Sequence, residues 1–345
     1  MNQDLEFCGK LLGPGHPTFV VAEIGFNHNG DLELAKRMIE SAAENGADAV
    51  KLQTFVASEM ISNTLLADDP DHPGNEIPFY EFFQRYELSH EDYKILIAHA
   101  RTLNISLFST PFDNASLDML VELGVPALKI ASPDLTYTPF LERMAETGLP
   151  VVLSTGMGDE REIAQALEAL SKAKSVILLH CVSNYPSQYE EMNLRCLAGL
   201  RQRFKLPVGL SDHTLDNMSA IVAASLGAVM IEKHFTLDRK MPGVDQSISM
   251  QPEDLRKLKS DLLNVTKILG EGKKQIQESE IPVRQSARRS LVARVDIPKG
   301  MPLQPDMLAC KRPGTGIPPT ELGGVLGKSL NVPATAEQVL TWEMF

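Results

Sequence analysis

The chain carries only four cysteines, Cys8, Cys181, Cys196 and Cys310, and no two of them form a Cys-x-x-Cys pair. Neither a disulfide framework nor a thiolate zinc site is supported. No apolar run reaches the roughly 18–20 residues that a membrane-spanning helix needs. Basic charge is in short supply: 33 Lys and Arg stand against 45 Asp and Glu, for a net charge of −12. Such a chain is poorly suited to bind nucleic acid or an anionic membrane through bulk electrostatics, so neither is expected as a partner. A small anion at a local basic cluster remains compatible with it. The opening MNQDLEFCGK has no basic start and no apolar core, so secretion is not expected and a cytoplasmic location is. There are no repeats and no low-complexity tract.

What the sequence does have is apolar material, 43% of 345 residues, enough for a sizeable core. Eight short β-branched runs recur at 18–24, 47–53, 105–110, 126–130, 150–155, 175–181, 207–212 and 228–234. Each is nearly continuous in apolar character, as in strands buried on both faces of a parallel sheet. Helical patterns lie between them. Asp31 reads as an N-cap before LELAKRMIESAAEN, and Ser89 with Asp92 as a near capping box. Eight such β-α units predict a (β/α)8 TIM barrel. An open doubly wound sheet is the runner-up, but GFNHNG does not fit its Gly-x-Gly-x-x-Gly turn. The long gap between the second and third runs predicts an inserted loop with a short helix over 66–88. We expect a barrel domain over 1–268, a polar linker over 269–285 and a small, mostly β module over 286–345.

In a TIM barrel, function sits at the C-terminal ends of the strands. Those ends read Glu23, Lys51 with Gln53, Ser109-Thr110, Lys129 with Ser132, Ser154-Thr155, His180, Ser211-Asp212-His213 and Glu232-Lys233-His234. Lys51 and Lys129 sit among apolar strand residues, where a solvated lysine is unusual. Lysines and hydroxyls converging on one point form a cradle for phosphate or carboxylate; alternatively, each lysine pairs with a barrel carboxylate such as Glu23. His213 and His234 end consecutive strands and could share a metal ion such as Mn, Fe, Co or Zn. Two ordinary mouth histidines, one of them a general base, are the other reading. His180 could be a third participant but reads better as a structural, hydrogen-bonded histidine, His28 in the first loop is ambiguous, and Cys181 reads as a small buried residue.

The motif set VAEIGFNHNGDLELA, GADAVKLQTF, LFSTPFD, LKIAS, VVLSTGMG, LLHCVSNYP, GLSDHT, IEKHFTLDRKMPGVD and CKRPGTG resembles the sialic acid synthases and their legionaminate, pseudaminate and spore-coat relatives. The resemblance runs from about residue 18 to the C-terminus. It implies a TIM barrel followed by an antifreeze-like SAF module. It also implies condensation of phosphoenolpyruvate with an N-acyl-mannosamine-type aldehyde, giving a nine-carbon 2-keto-3-deoxy acid and phosphate. A divalent metal is implied, manganese first, with magnesium or cobalt as alternatives. By resemblance, His213 and His234 would hold the metal. Lys51, Thr110, Lys129, Ser132, Ser154 and Ser211 would hold phosphoenolpyruvate. Gln53, Tyr185, Asp245 and Arg312 would face the sugar, and Glu23 and Asp134 would join Lys51, Lys129 and the histidines in catalysis. A domain-swapped homodimer is implied too. The chain departs from the commonest pattern at Ser132-Pro133-Asp134, where many relatives read Ser-Gly-Glu. The first loop, Gly25-Phe26-Asn27-His28, is closer to the sialate and legionaminate pattern than to the pseudaminate one.

Three readings compete. The first is a synthase of N-acetylneuraminate or a legionaminate-type acid, with pseudaminate synthase or another 3-deoxy-keto-acid synthase as its variants. The second is a metal-independent Schiff-base aldolase using Lys51, Lys129 or Lys233. The third is a carbohydrate-binding SAF module on an inert barrel.

Overall fold

The computed structural model describes residues 4–68 and 76–345. The chain divides into two compact units, Met1–Glu271 and Gly272–Phe345. In the first unit, eight parallel strands close into a barrel. They are β1 (Phe19–Gly25), β2 (Ala49–Thr54), β3 (Ser106–Pro111), β4 (Leu128–Ile130), β5 (Pro150–Ser154), β6 (Ser175–Cys181), β7 (Val208–Asp212) and β8 (Met230–His234). These coincide with the eight apolar runs, so the TIM-barrel expectation holds. The strands pair in chain order, and β8 closes on β1.

Alternation along the strands sorts side chains into two cores. Val20, Ala22, Val50, Leu52, Leu178, Leu210 and Ile231 point outward to pack under the helices. Phe19, Val21, Ala49, Phe108, Val152, Ile177, Leu179 and Met230 point inward. An N-terminal hairpin, Leu5–Phe7 with Lys10–Leu12, adds Phe7 and Leu12 to this inner core. Phe7 meets Phe19 and Phe108 edge-on at 5.4 and 5.8 Å between ring centroids. The inner core therefore fills the N-terminal half of the barrel, and only the other end can hold polar groups. Gly209 follows from the same packing: a Cβ there would lie 2.4 Å from the carbonyl oxygen of Met230.

The crossovers are helices α1 (Leu32–Glu44), α2 (His90–Thr102), α3 (Asn114–Glu122), α4 (Thr138–Glu146), α5 (Glu160–Ala169), α6 (Cys196–Phe204) and α7 (Met218–Ser225), and α8 (Pro252–Leu269) follows β8. Asp31 caps α1 by accepting from the amides of Glu33 and Leu34. Ser89 and Asp92 form a complete capping box on α2, because the Asp92 carboxylate reaches the Ser89 amide at 2.9 Å. The insertion after β2 holds a small hairpin, Leu66–Asp68 with Glu76–Pro78, and a helix, Phe79–Gln84. Residues 69–75 of the expected loop lie outside the described residues.

The second unit has an antiparallel pair, Ser290–Ala293 with Leu308–Lys311, extended by isolated bridges. Its core is made of Leu291, Ile297, Leu303, Ile317, Val325 and Leu340. The stretch read as a linker over 269–285 runs into a short helix, Ile281–Ala287, with Pro282 in its first turn, where no amide donor is needed.

Candidate active site

Period-two alternation decides which strand-end residues meet. Glu23, Lys51, Thr110, Lys129, Ser154, Cys181, Ser211, Glu232 and His234 share parity with the inner core and lie in the barrel mouth. Ser109, His180, Asp212 and Lys233 have the opposite parity and face outward, so not all of the polar residues read at the strand ends lie in the mouth. Ser109 pairs with Thr54 at 2.6 Å. His180 Nε2 bonds the Met192 carbonyl at 2.7 Å, the structural reading of that histidine.

The floor of the mouth is a network of four buried charges. Glu23 and Lys51 are register partners on β1 and β2, and their charged ends are in contact. Lys51 Nζ also donates to Thr110 Oγ1 at 3.0 Å. Lys129 Nζ lies 3.4 Å from Glu232 Oε1, and Lys51 Nζ lies 3.9 Å from the same atom. Ser211 Oγ donates to Glu232 Oε1 at 3.3 Å. Glu232 thus bridges both lysines. It stood among the strand-end residues without being assigned a role, although its parity with Met230 already turned it inward.

Electrostatics divides the four. Burial pushes the Glu23 carboxyl up to about 7; Lys51 opposes the rise and Glu232 adds to it. Glu232 stays below its ordinary range because Lys129 and Lys51 outweigh its burial. Lys51 is held above its ordinary value, since Glu23 and Glu232 outweigh burial. Lys129 falls below its own, burial prevailing over Glu232. When Glu23 is protonated, two lysines face a single carboxylate, and the floor can accept an anion.

Hydroxyls and the histidines ring this floor. Ser154 Oγ is buried without a hydrogen-bond partner, as are Glu232 Oε2 and Asp134 Oδ2. Ser132 Oγ accepts from the Gly156 amide at 3.0 Å. Burial raises the Asp134 carboxyl to about 6 against the pull of Lys129. Gly25 has φ +50°, and a Cβ on it would meet Glu23 Oε1 at 3.0 Å, Gln53 Nε2 at 3.5 Å and His234 Cε1 at 3.7 Å. A side chain there would crowd the mouth as well as strain the backbone.

The His213 and His234 rings stand 5.6 Å apart between centroids, and Tyr185 lies against His213 at 4.1 Å. His213 Nδ1 donates to the Val182 carbonyl at 2.8 Å, which leaves the lone pair on Nε2. Burial lowers the His213 pKa, but Cys181 and the Val182 carbonyl outweigh it, and a more basic imidazole is a stronger metal donor. His234 is held well below its ordinary value by burial and by His213, and so is neutral. Its Nδ1 is buried without a hydrogen bond, 3.5 Å from Asp245 Oδ2. Two imidazoles on adjacent strand ends, His213 with Nε2 outside its bond to Val182 and His234 with Nδ1 outside any hydrogen bond, fit a divalent cation with open positions for water and substrate. Among the described residues, no group of three or more His, Cys, Asp or Glu is arranged to hold a metal. Burial raises the Asp245 carboxyl to about 6. Arg312 is exposed in the second unit, before the cis peptide to Pro313.

Lys233, one of the lysines available to a Schiff-base reading, is sealed on the outer side of the wall. Its Nζ donates to Asp212 Oδ2 at 2.9 Å and to the Thr214 carbonyl.

Comparison with known proteins agrees with this barrel and module. The NeuB family profile matches residues 38–274, and the SAF domain profile matches residues 288–345. The N,N'-diacetyllegionaminic acid synthase of Legionella pneumophila is 40% identical over 344 residues, covering 97% of this chain and 96% of that protein. The protein of the same name from Campylobacter jejuni is 41% identical over 318 residues, covering 90% of this chain and 95% of its own. The crystal structure of N-acetylneuraminic acid (sialic acid) synthetase from Leptospira borgpetersenii, in complex with citrate, superposes with a TM-score of 0.75 at 37% identity. It covers 83% of this chain and 98% of that one. This chain is therefore an enzyme of the NeuB family, a sialic-acid-type synthase barrel followed by a SAF domain.

Proposed function

We propose that the enzyme condenses phosphoenolpyruvate with an open-chain N-acyl-mannosamine-type aldehyde. The products are a nine-carbon 2-keto-3-deoxy acid and inorganic phosphate. The observation that carries this reading is the pair of buried lysines, Lys51 and Lys129, sharing Glu232 at the bottom of a mouth ringed by hydroxyls. A doubly anionic small molecule matches that floor: its phosphate and carboxylate take charge-assisted bonds from Lys51, Lys129, Thr110, Ser132, Ser154 and Ser211.

His213 and His234 would hold a divalent cation, manganese first with magnesium or cobalt as alternatives. When bound, it would supply Lewis-acid polarisation of the aldehyde. The lysines balance the negative charge of phosphoenolpyruvate while its C3 attacks the aldehyde carbon. Water then adds at C2, and the tetrahedral adduct loses phosphate by C–O cleavage. Glu23, with its carboxyl near 7, can hold or release a proton at working pH beside the reacting carbons. Gln53, Tyr185 and Asp245 would face the sugar, and Asp134 would join Glu23 in catalysis.

The two relatives named above favour a 2,4-diacetamido-2,4,6-trideoxymannose substrate, giving a legionaminate-type acid, over N-acetylmannosamine. Family membership sets aside the inert-barrel reading. Among the described residues no helix is long and apolar enough to cross a membrane, and we place the reaction in the cytoplasm. We also propose a domain-swapped homodimer that brings Arg312 to a sugar site. The test is incubation with phosphoenolpyruvate and each candidate sugar, with and without chelator. We expect phosphate release that needs both substrates and a metal. Sugar consumption that survives chelator, together with trapping by borohydride, would favour the aldolase instead.

A further inference from the structure

Directly behind the two histidines, on the outer side of the barrel wall, lies a charged pair that substrate cannot reach. Asp212 and Lys233 are register partners on β7 and β8. Lys233 Nζ and Asp212 Oδ2 are 2.9 Å apart, and the two side chains are 1% and 0% exposed. Lys233 Nζ also donates to the Thr214 carbonyl. Asp212 Oδ1 accepts from the Thr214 amide at 3.0 Å and from Thr214 Oγ1 at 2.8 Å. Asp212, Thr214 and Lys233 thus form a closed ring of bonds around residue 213, one residue short of His234.

Stability alone does not require this ring. A buried ion pair is often no better than well-packed apolar residues, because both charges must be desolvated. The neighbouring outer positions Leu210 and Ile231 are apolar and fully buried. What the charged ring adds is direction. Its bonds fix the backbone of residues 212–214 and tie the end of β7 to the end of β8.

We propose that the Asp212–Thr214–Lys233 ring is a positioning device that holds His213 and His234 at the separation needed to share one divalent cation. It does so without touching that cation. The proposal rests on the reading of the two histidines as cation ligands. Outer-shell partners of metal ligands typically change metal affinity by about 10- to 100-fold when removed.

The test is calorimetric titration of the full chain with Mn2+ in the absence of substrates, so that the readout is independent of turnover. The wild type is expected to bind and His213→Ala to lose binding. Lys233→Met and Asp212→Asn are each expected to weaken binding by about 10- to 100-fold. Asp48→Asn is the stability control: it breaks a second ion cluster, in which the buried Asp48 carboxylate, just before β2, meets the partly exposed Lys10 and Lys259. It should lower Tm and leave the Mn2+ affinity unchanged. If Lys233→Met fails to fold, Asp212→Asn decides, since it keeps the side-chain shape and an acceptor for Thr214. Absence of Mn2+ binding by the wild type would overturn the cation reading and the proposal with it. Binding by the wild type, lost in His213→Ala but unchanged in both ring variants, would overturn the proposal alone. So would a weakening that simply tracks Tm through Asp48→Asn as well.

Discussion

Glu23 and Lys51 stand opposite each other on adjacent strands, and their charged ends meet inside the barrel mouth. Even so, burial holds the Glu23 carboxyl at about 7, above its ordinary 4.5. The folded state therefore binds this proton more tightly than the unfolded state. The stability linked to it is fully present below about 4.5 and is lost as pH rises through about 7. In Tm measurements from pH 5 to 8, the wild type should lose stability relative to Glu23→Gln. Parallel pH profiles for the two proteins would contradict the assignment.

Lys51→Met and Lys129→Met should each raise the KM for phosphoenolpyruvate far more than the KM for the sugar. A lost charge-assisted bond costs about 1.5–3 kcal/mol, or roughly 10- to 150-fold. Steady-state kinetics with each substrate varied in turn checks this. If only the sugar KM moves, the cradle is misplaced.

Glu232→Gln should separate binding from stability. Its carboxylate lies within 3.9 Å of both lysine nitrogens. Without it, two buried cations face each other with less counter-charge, so Tm in the absence of ligand should fall. A bound anion would then restore the balance. The Tm increase on adding phosphoenolpyruvate should therefore exceed that of the wild type. Thermal shift with and without the ligand reads both effects.

His213→Ala and His234→Ala should each abolish metal-dependent phosphate release while the far-ultraviolet circular dichroism spectrum is unchanged. Both rings lie at strand ends, beyond the apolar inner core, so their loss leaves the barrel packing intact. Full activity of both variants at saturating substrate would remove the metal assignment.

Arg312 is tested by complementation. A chain cut near residue 270 is mixed with full-length His213→Ala, each expected to be nearly inactive alone. Recovered activity that vanishes when Arg312→Ala is added to the full-length chain would support action in trans. No recovery despite proven heterodimers would count against it.

The barrel was legible in the sequence because each strand is buried on both faces, so each reads as an unbroken apolar run whatever its neighbours. Asp31 and Ser89 were legible for a similar reason: capping is settled within three residues of chain. The lysines Lys51 and Lys129 also announced themselves, as charges inside apolar strands. Which polar residues meet was decided only by closure of the barrel. A one-residue step turns a side chain from the inside to the outside of the wall, and that step separates Glu232 and His234 from Lys233, and Cys181 from His180. The bridging place of Glu232 depends on strands β2, β4, β7 and β8 converging, with partners 21 to 181 residues away in the chain. Local sequence carries charge and period. Distance between remote strand ends, and with it the pKa of Glu23 and the seal on Lys233, exists only once the sheet has closed on itself.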